Sequence, residues 1–169
     1  MRLKNIDIMQ QTKPIKRSKE LVPLSREHHD GLLLCWKIRT GLSNKTDISR
    51  IVDYTLHFCN TSLKLHFQKE EKFLFTLLPA TDSFRIQAED EHEKIEKYTL
   101  RIKQETNNAE KTLNDFADLL EQHIRFEERN LFPHIEQVAN AQELQVAGMK
   151  IDSGNQLHEK EWNDTFWLK

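Results

Sequence analysis

The sequence predicts an all-α protein that folds as an up-down-up-down four-helix bundle. The chain has 169 residues but only four Gly and four Pro, whereas an all-β protein needs turn residues about every ten positions. Long stretches place apolar residues at alternating spacings of three and four, the pattern of a helix buried along one side. The breaks between these stretches are short, and short connections favour antiparallel neighbours in a bundle.

The composition limits the partners that the protein can have. Hydrophobic residues make up 37% of the chain and charged residues 31%, enough for one core under a strongly solvated surface. The 25 Lys and Arg nearly balance the 27 Asp and Glu, so we expect no nucleic-acid partner. No segment approaches the roughly 18 consecutive apolar residues of a membrane span, and residues 1–20 lack the apolar centre of a signal peptide. We therefore expect a cytoplasmic protein without a membrane partner, and the sequence identifies no protein partner.

A polar, Lys-rich stretch, residues 1–20, precedes the bundle and is expected to form an N-terminal arm. The first helix begins near Pro23, a residue type suited to the first turn of a helix. It is expected to end near Thr40, because Gly41 suits the position after a helix. The bundle as a whole is expected to occupy residues 21–140.

The second helix is expected to start at a cap supplied by Thr46 or Asp47, whose side-chain oxygens can accept from free backbone N–H groups. It runs to about Leu77, because Pro79 cannot continue a helix. Its length makes it a full member of the bundle.

The third helix spans roughly 83–105 and ends where Asn107 and Asn108 interrupt the pattern. The fourth helix runs from about Ala109 to Val138, and Pro133 inside it predicts a kink or a change of segment. These two helices complete the bundle.

The remaining segment, residues 141–169, is expected to be a tail that packs back on the bundle through Trp162, Phe166 and Trp167. Cys35 and Cys59 lie in apolar stretches, and two cysteines in a chain of this size do not make a disulfide framework. We expect both to be reduced core residues.

Two of the predicted helices carry a His–Glu pair on the face that should be apolar. His66 and Glu70 interrupt the second helix, and His123 and Glu127 interrupt the fourth, each pair four residues apart. The series of the second helix is Val52, Leu56, Cys59, Leu63, His66, Glu70, Phe73 and Leu77. The series of the fourth helix is Leu113, Phe116, Leu120, His123, Glu127 and Leu131.

The other two helices each place one histidine on the corresponding face. The series of the first helix is Leu21, Leu24, His28, Leu32, Cys35 and Leu42. The series of the third helix is Phe84, Ala88, His92, Ile95, Thr99 and Ile102. In an antiparallel bundle these positions all fall towards one end, so the polar residues of the four helices should meet.

A metal site explains these buried polar residues. A buried carboxylate without a partner costs several kcal/mol, and Glu70 and Glu127 facing each other would also repel. Neither Lys nor Arg occurs in the four series, so a bound cation is the natural source of positive charge. A single His–Glu pair at this spacing is more often a solvated surface pair. Its occurrence twice on a buried face favours a binding site.

Four histidines and two glutamates suit a pair of ions. If both glutamates bridge, one ion binds His28 and His66 and the other binds His92 and His123, so each ion has two nitrogen and two oxygen donors. Because the set contains no thiolate, two iron ions fit it best, with an oxo or hydroxo bridge as an option; manganese and zinc are the alternatives. Six-coordinate iron would keep open positions where dioxygen, nitric oxide or peroxide can bind.

Two ligand positions keep an alternative at this point. His29 competes with His28, because it too has apolar neighbours three and four residues on, and Glu128 competes with Glu127. Other acidic residues are expected on the solvated face or around the site, namely Glu71, Glu89, Asp90, Glu91 and Glu128. The remaining histidines considered, His57, His134 and His158, are expected at the surface or at the edge of the core.

Four motifs carry the proposed ligands in order along residues 21–138. They are Arg26–His28, His66–Glu71, Glu91–Glu93, and His123–Glu128 followed by Leu131–Pro133. Together they resemble the hemerythrin family, specifically the bacterial HHE-type cation-binding domains. The resemblance implies a non-haem di-iron centre in a four-helix bundle, with both carboxylates bridging.

The sequence differs from that of oxygen-carrying hemerythrins at two positions. Those proteins have a second histidine one turn before the ligand of the third helix, where this chain has Ala88. Their acid in the fourth helix is an Asp five residues after the histidine, whereas Glu127 and Glu128 follow His123 at four and five. A Glu at four is similar to the bacterial iron-cluster-repair relatives, which favours Glu127. The missing nitrogen disfavours reversible oxygen carriage.

We therefore expect a non-haem di-iron protein that binds or senses dioxygen, nitric oxide or iron. The alternative is a di-iron redox enzyme, or a protein of iron-cluster repair or iron delivery, although the ligands are the only acid–base residues that the sequence points to. A third hypothesis is a purely structural bundle whose buried polar residues bond only to one another.

Overall fold

The computed structural model describes residues 16–104, 107–153 and 162–168, and the regular elements in these ranges are all helical. We number the helices α1 to α5 along the chain. They are α1 (Val22–Ser43), α2 (48–77), α3 (Ser83–Gln104), α4 (109–138) and α5 (Ala141–Ser153). Among these described helices, none has the length and apolar character needed to cross a membrane.

Helices α2 and α4 change their winding along their length. Helix α2 consists of α-helix Ile48–Phe58, π-helix Cys59–Leu63, α-helix Lys64–Lys69, π-helix Glu70–Leu74 and 3₁₀-helix Phe75–Leu77. Helix α4 consists of α-helix Ala109–Phe126, π-helix Glu127–Leu131 and α-helix Phe132–Val138. The predicted change of segment near Pro133 is therefore present, and the π turn lies just before the proline.

The first four helices form the predicted bundle. Helix α1 packs against α2 and α4, and α3 packs against the same two helices, so that the four surround one core. Short connections between successive helices make neighbours antiparallel. The predicted fold class, an up-down-up-down four-helix bundle, is confirmed.

A local signal explains the start of α2 but not the end of α1. The Asp47 carboxylate accepts from the Ser49 N–H at 2.9 Å, so Asp47 is the cap of α2. The expectation that α1 ends before Gly41 was wrong, because the helix continues to Ser43. A Cβ at Gly41 would lie 2.7 Å from the ring of Phe166. This glycine therefore permits a close approach of the C-terminal segment and does not end the helix.

The π turns shift which residues of α2 face the core. Val52 and Leu56, which the regular spacing predicts as buried, are only half-buried, whereas Ile51 is fully buried. After Glu70 the buried residue is Leu74 and not Phe73. A π turn contains one more residue than an α turn, so the residues before it and after it do not share one α-helical series. A series extended at three and four residues therefore loses register at these points.

A layer of polar side chains divides the core into two apolar clusters. One cluster fills the end of the bundle near the α1–α2 connection and includes Ile38, Ile51 and Phe116. The other lies at the opposite end and includes Leu74 and Phe132. The predicted metal ligands occupy the layer between them.

The C-terminal region is more regular than expected. Residues 141–153 form helix α5, and it packs against the π turn of α2 that begins at Glu70 and against α1. The expected C-terminal segment therefore contains a helix in this part, where Leu144 and Ile151 are buried. Further on, Phe166 lies in the core, with Trp162 and Trp167 packed against it as expected.

Both cysteines are free and buried, as expected. Burial raises the pKa of the Cys35 and Cys59 thiols to about 12. Because the thiolate is the reactive form, we expect 5,5′-dithiobis(2-nitrobenzoate) at pH 8 to modify the folded protein at least about 100-fold more slowly than the denatured protein. Absorbance of the released thiolate measures both rates. Rapid reaction of either cysteine in the folded protein would contradict this expectation.

Candidate metal centre

The six predicted ligands meet in the polar layer. Each is almost completely buried, with exposed fractions of 0% for both glutamates and at most 5% for the histidines. Helix α1 contributes His28, α2 contributes His66 and Glu70, α3 contributes His92, and α4 contributes His123 and Glu127. The i, i+4 spacing of the two His–Glu pairs places each pair on one helical face.

The Glu70 carboxylate lies between histidines of three helices. Its Oε1 is 3.2 Å from His66 Nε2 and 3.5 Å from His28 Nε2. Its Oε2 is 3.3 Å from His92 Nε2. The two oxygens of Glu70 therefore face opposite sides of the centre, which is the orientation of a bridging carboxylate.

The Glu127 carboxylate occupies a similar position from α4. Its Oε2 is 2.9 Å from His28 Nε2 and 3.3 Å from His123 Nε2. Its Oε1 is 3.8 Å from His92 Nε2. Glu127 thus also reaches histidines from both sides of the centre.

These side chains form two overlapping donor sets. One set contains His28, His66, Glu70 and Glu127, and the other contains Glu70, His92, His123 and Glu127. Within each set the donor atoms all lie within 4.8 Å of one another. Both glutamates belong to both sets, so the geometry provides room for two ions that share the carboxylates.

The donor atoms are buried but lack hydrogen bonds. Within the described residues, no hydrogen-bond partner is present for the Nε2 atoms of the four histidines or for the carboxylate oxygens of Glu70 and Glu127. Buried polar atoms are normally paired, because an unpaired one loses its bonds to water without compensation. Cations placed between the imidazoles and carboxylates would satisfy all of these atoms, so the residues fit a metal centre.

The structure separates the two pairs of alternative ligands. His28 is buried in the centre, whereas the neighbouring His29 is exposed. Glu127 faces the donor sets, whereas Glu128 accepts a hydrogen bond from the outer nitrogen of His28. The inward-facing residues are therefore His28 and Glu127.

A carboxylate accepts a hydrogen bond from the Nδ1 atom of each buried histidine. The four pairs are His28 with Glu128 at 2.7 Å, His66 with Glu27 at 2.8 Å, His92 with Glu71 at 2.7 Å, and His123 with Glu91 at 2.9 Å. A carboxylate can only accept, so Nδ1 carries a proton and the Nε2 lone pair is free for a metal ion. Such outer carboxylates commonly fix the orientation of metal-binding histidines.

These four pairs connect the helices in a closed ring, which we call the carboxylate ring. Helix α1 supplies Glu27 to the histidine of α2, and α2 supplies Glu71 to the histidine of α3. Helix α3 supplies Glu91 to the histidine of α4, and α4 supplies Glu128 to the histidine of α1. Each helix therefore orients a ligand on the next helix.

Burial and ion pairing act in opposite directions on the pKa values of these groups. Burial alone raises the pKa of Glu128, but hydrogen bonds with His28, Ser25 and Arg17 lower it to about 2. Burial also raises the pKa of Glu27, and its contacts with His66 and Lys69 outweigh that effect and lower the pKa. Both outer carboxylates are therefore anionic at neutral pH and able to accept from histidine.

Sequence reasoning did not single out Glu27. It placed Glu71 and Glu91 only in a group of acids on the solvated face or around the site, and it considered Glu128 both in that group and as an alternative ligand. A repeated adjacency carries the missing signal, because each of these acids is next in sequence to a buried ligand, as in Glu27 and His28. The other acids of that group differ, since Glu89 pairs with Arg85 and Asp90 is exposed.

His57 and His134 lie away from the centre. His134 Nε2 is 2.8 Å from Asp82 Oδ2, so it has an acidic partner that the sequence analysis did not anticipate. The ring of His57 packs beside Trp162. His158 lies outside the described residues. Neither His57 nor His134 belongs to a donor set.

The two glutamates shared by both donor sets are the first residues of π turns. The N–H of Phe75 bonds to the Glu70 carbonyl, and the N–H of Phe132 bonds to the Glu127 carbonyl, five residues back in each case. Single π turns are rare and occur frequently at functional sites. The two helices that provide His–Glu pairs thus share the same irregularity at the same point.

Arg17 connects the segment before α1 to this centre. Its Nη2 donates to the Glu128 carboxylate and to the Glu128 carbonyl, each at 2.7 Å. Pro133, five residues after Glu128, has no N–H to offer that carbonyl in a π turn. The Arg17 guanidinium also lies 5.1 Å from the centre of the Phe132 ring, which stacks on His28. Arg17 therefore supports two neighbours of one ligand.

We expect Arg17→Met to weaken metal binding at this centre about tenfold, because Glu128 would lose a partner that holds it against His28. Titration against a competing chelator measures the change. Arg39→Met is the matched control, since Arg39 lies in α1 and also pairs with acids of α4, but these are Asp118 and Glu121, away from the centre. An affinity in Arg17→Met equal to that of the control would contradict the expectation.

The fold and the site together define a class of protein: a four-helix bundle with a buried His/Glu centre able to hold cations. The sequence model of the family described as hemerythrin HHE cation-binding domain matches residues 21–135. The chain belongs to this family. No curated protein and no solved structure gives a significant match.

Proposed function

We propose that the protein is a non-haem di-iron protein that binds or senses dioxygen or nitric oxide. Two observations support this proposal. The two donor sets share two fully buried carboxylates, and among the described residues the inward-facing donor atoms have no hydrogen-bond partner. Iron suits imidazole and carboxylate donors and commonly accepts more ligands than four. Bound there, a pair of iron ions would supply redox-active cations with exchangeable positions.

The role of the chain in this proposal is to hold and orient the ligands. The ring centroids of His28 and His66 are 4.8 Å apart, and those of His92 and His123 are also 4.8 Å apart. Each donor set therefore has one adjacent pair of imidazoles. The carboxylate ring fixes the tautomer of all four imidazoles, and the bridging glutamates link the two sets.

Aromatic side chains limit the access of water to the centre. Phe67 stacks on His92 with centroids 3.7 Å apart, and Phe75 stacks on the same imidazole at 5.5 Å. Phe132 covers His28 at 5.2 Å. Because these rings are nearly buried, the surroundings of the centre favour small, weakly solvated ligands such as dioxygen and nitric oxide.

A second candidate is a di-iron redox enzyme, or a protein that delivers iron or repairs iron clusters. The observation that favours it is Ala88, which is fully buried one turn before His92 and offers no donor atom. The donor set that contains His92 therefore has only two nitrogens and two carboxylates. A centre with few protein donors exchanges ligands or ions more readily than a saturated one.

Metal analysis of protein purified without chelator tests the proposal. We expect about two iron ions per chain, near-ultraviolet absorption from the loaded centre, and a change in that absorption when nitric oxide or dioxygen is added. Absence of iron after iron-replete expression would refute the proposal. Catalytic turnover of peroxide, or transfer of iron to an acceptor protein, would favour the second candidate.

A further inference from the structure

A cavity of about 290 Å³ lies between α1 and α2 beside the metal centre. Residues 23–37 of α1 and 54–69 of α2 contribute its two long sides. Helix α4 closes it through Leu120, His123 and Ile124. Its volume approaches the lower end of the range for pockets that bind small organic molecules.

Three histidines of the metal centre line the cavity. His28 and His66 line it from α1 and α2, and His123 lines it from α4. The first two belong to one donor set and the third belongs to the other. A molecule in the cavity would therefore lie against ligands of both sets.

Buried apolar side chains form one part of the cavity wall. Phe58, Leu63, Phe67, Leu120 and Ile124 line the cavity, and each of these side chains is at most 6% exposed. Burying apolar surface against such a wall is favourable, whereas a polar group placed there would lose its bonds to water. The wall thus favours an apolar occupant.

The charges around the cavity carry both signs. Lys69 Nζ donates to Glu27 Oε1 at 2.6 Å, and the other oxygen of Glu27 accepts from His66 at 2.8 Å. Arg26 and Asp30 add one further charge of each sign. Lys37 adds another positive charge, which donates to the Tyr54 hydroxyl and lies over the rings of Tyr54 and Trp167. This mixture favours an uncharged occupant over an anion or a cation.

The volume sets the size of the occupant. An engineered apolar cavity of about 150 Å³, lined by aliphatic and aromatic residues, binds benzene. The cavity described here is about twice as large, so a bicyclic aromatic or a compact aliphatic molecule of about ten non-hydrogen atoms would fill it. Dioxygen or nitric oxide alone would leave most of it empty.

We propose that this cavity binds an uncharged, largely apolar organic molecule next to the metal centre. The proposal deepens the proposed function, on which the presence of bound ions beside the cavity rests. The molecule would cover the imidazoles on the α1–α2 side and exclude water from them. The cavity itself is a property of the described residues.

Ser62 offers a way to fill the cavity from its wall. It lies in the π turn Cys59–Leu63, is half-buried, and lines the cavity, so Ser62→Phe would place a ring in this space. Asn60 lies in the same π turn but is exposed. Asn60→Phe is therefore the matched control, because it adds the same ring outside the cavity.

Isothermal titration with indole tests the proposal in both the metal-free and the iron-loaded protein. We expect saturable binding of one indole per chain in both forms, at least about tenfold weaker in Ser62→Phe and unchanged in Asn60→Phe. Octanoate, a charged molecule of similar size, should bind more weakly than indole. In the iron-loaded protein, indole should also shift the near-ultraviolet absorption.

Three results would overturn the proposal: no saturable indole binding, equal binding by Ser62→Phe and the unaltered protein, or tighter binding of octanoate than of indole. Indole binding without retained iron would support the cavity proposal and refute the proposed function. Retained iron without indole binding would do the reverse. The two proposals therefore fail independently.

Discussion

Glu70→Gln is expected to abolish stable binding of both iron ions, lowering affinity at least about 100-fold. Glu70 belongs to both donor sets, and its two oxygens face histidines on opposite sides of the centre. The amide keeps the size of the side chain but removes the charge and one oxygen donor. Loss of an outer partner alone costs about 10–100-fold in affinity, so loss of a shared ligand should cost more. Metal analysis after gel filtration measures the change.

Glu93→Gln is the matched control for this variant. Glu93 follows His92 directly in α3, but its side chain is 65% exposed and pairs with Lys97 at the surface. It should retain about two ions per chain. The metal-free form of Glu70→Gln should unfold at a lower temperature than the metal-free parent, since the buried histidines lose one of their two anionic partners. Normal iron content in Glu70→Gln would contradict the bridging role.

Removal of metal is expected to lower the midpoint of thermal unfolding by about 10 °C. Ions that bind only the folded chain stabilise it by about 4 kcal/mol when free metal is 1,000 times the dissociation constant. For a chain of this size, 1 kcal/mol corresponds to about 2–4 °C. Calorimetry of loaded and chelator-treated protein at pH 7 measures the difference. The same treatment should leave the midpoint of Glu70→Gln unchanged, and an equal fall in that variant would contradict a metal effect.

The difference in unfolding temperature between the metal-loaded and the metal-free protein should grow with pH. In the metal-free protein burial lowers the pKa of His28 and His92, but contacts with Glu127 and Glu70 outweigh burial and raise both pKa values well above 6.5. Their protonation therefore stabilises the metal-free protein below pH 6.5, and this contribution is lost as the pH rises through the folded pKa values. In the loaded protein, ions take the place of these protons.

The buried glutamates determine the pH below which the metal-free protein loses stability. Burial and mutual repulsion raise the pKa of Glu70, but its contacts with His66 and His28 outweigh them and lower it. The resulting stability is present above about pH 4.5 and is lost as the pH falls through the folded pKa. Metal-free protein should thus be most stable between about pH 4.5 and 6.5. A loaded-minus-free difference in unfolding temperature that is larger at pH 6 than at pH 8.5 would contradict this account.

The sequence predicts the bundle because its helices are long and its breaks are chemically distinct. Asp47 and Pro79 mark ends through interactions that involve neighbouring residues only, so they are readable without the fold. Gly41 led to a wrong prediction of the end of α1. A glycine is needed there because the ring of Phe166, which is far away in sequence, packs against this position. A local rule cannot anticipate a contact of this kind.

Regular spacing of three and four residues predicts the positions of the ligands, because each His–Glu pair lies in a stretch of helix without a π turn between its two members. In α4 the predicted series is buried from Leu113 to Leu131. In α2 the turn Cys59–Leu63 precedes the ligands, and the turn that begins at Glu70 follows. Spacing therefore identifies His66 and Glu70 but misplaces Val52 and Phe73. An added residue in one turn leaves no mark in composition, which is why the shift is visible only in three dimensions.

Partners across helices are the least predictable part of the site. Glu27 and His66 are 39 residues apart and meet only because α1 and α2 are antiparallel at this height. Helix α5 is a similar case, because its face with Leu144 and Ile151 is short and gains its partners from α2 and the segment before α1.

Because the carboxylate ring runs through all four helices, the centre is complete only when the whole bundle has assembled. A bundle that lacked α4, or that paired it in the wrong register, would lose the acid that orients His28 as well as its own two donors. Partly folded chains should consequently capture iron poorly even when most helices have formed. Uptake of iron during synthesis would then report completion of the fourth helix, and immature chains would not hold reactive metal.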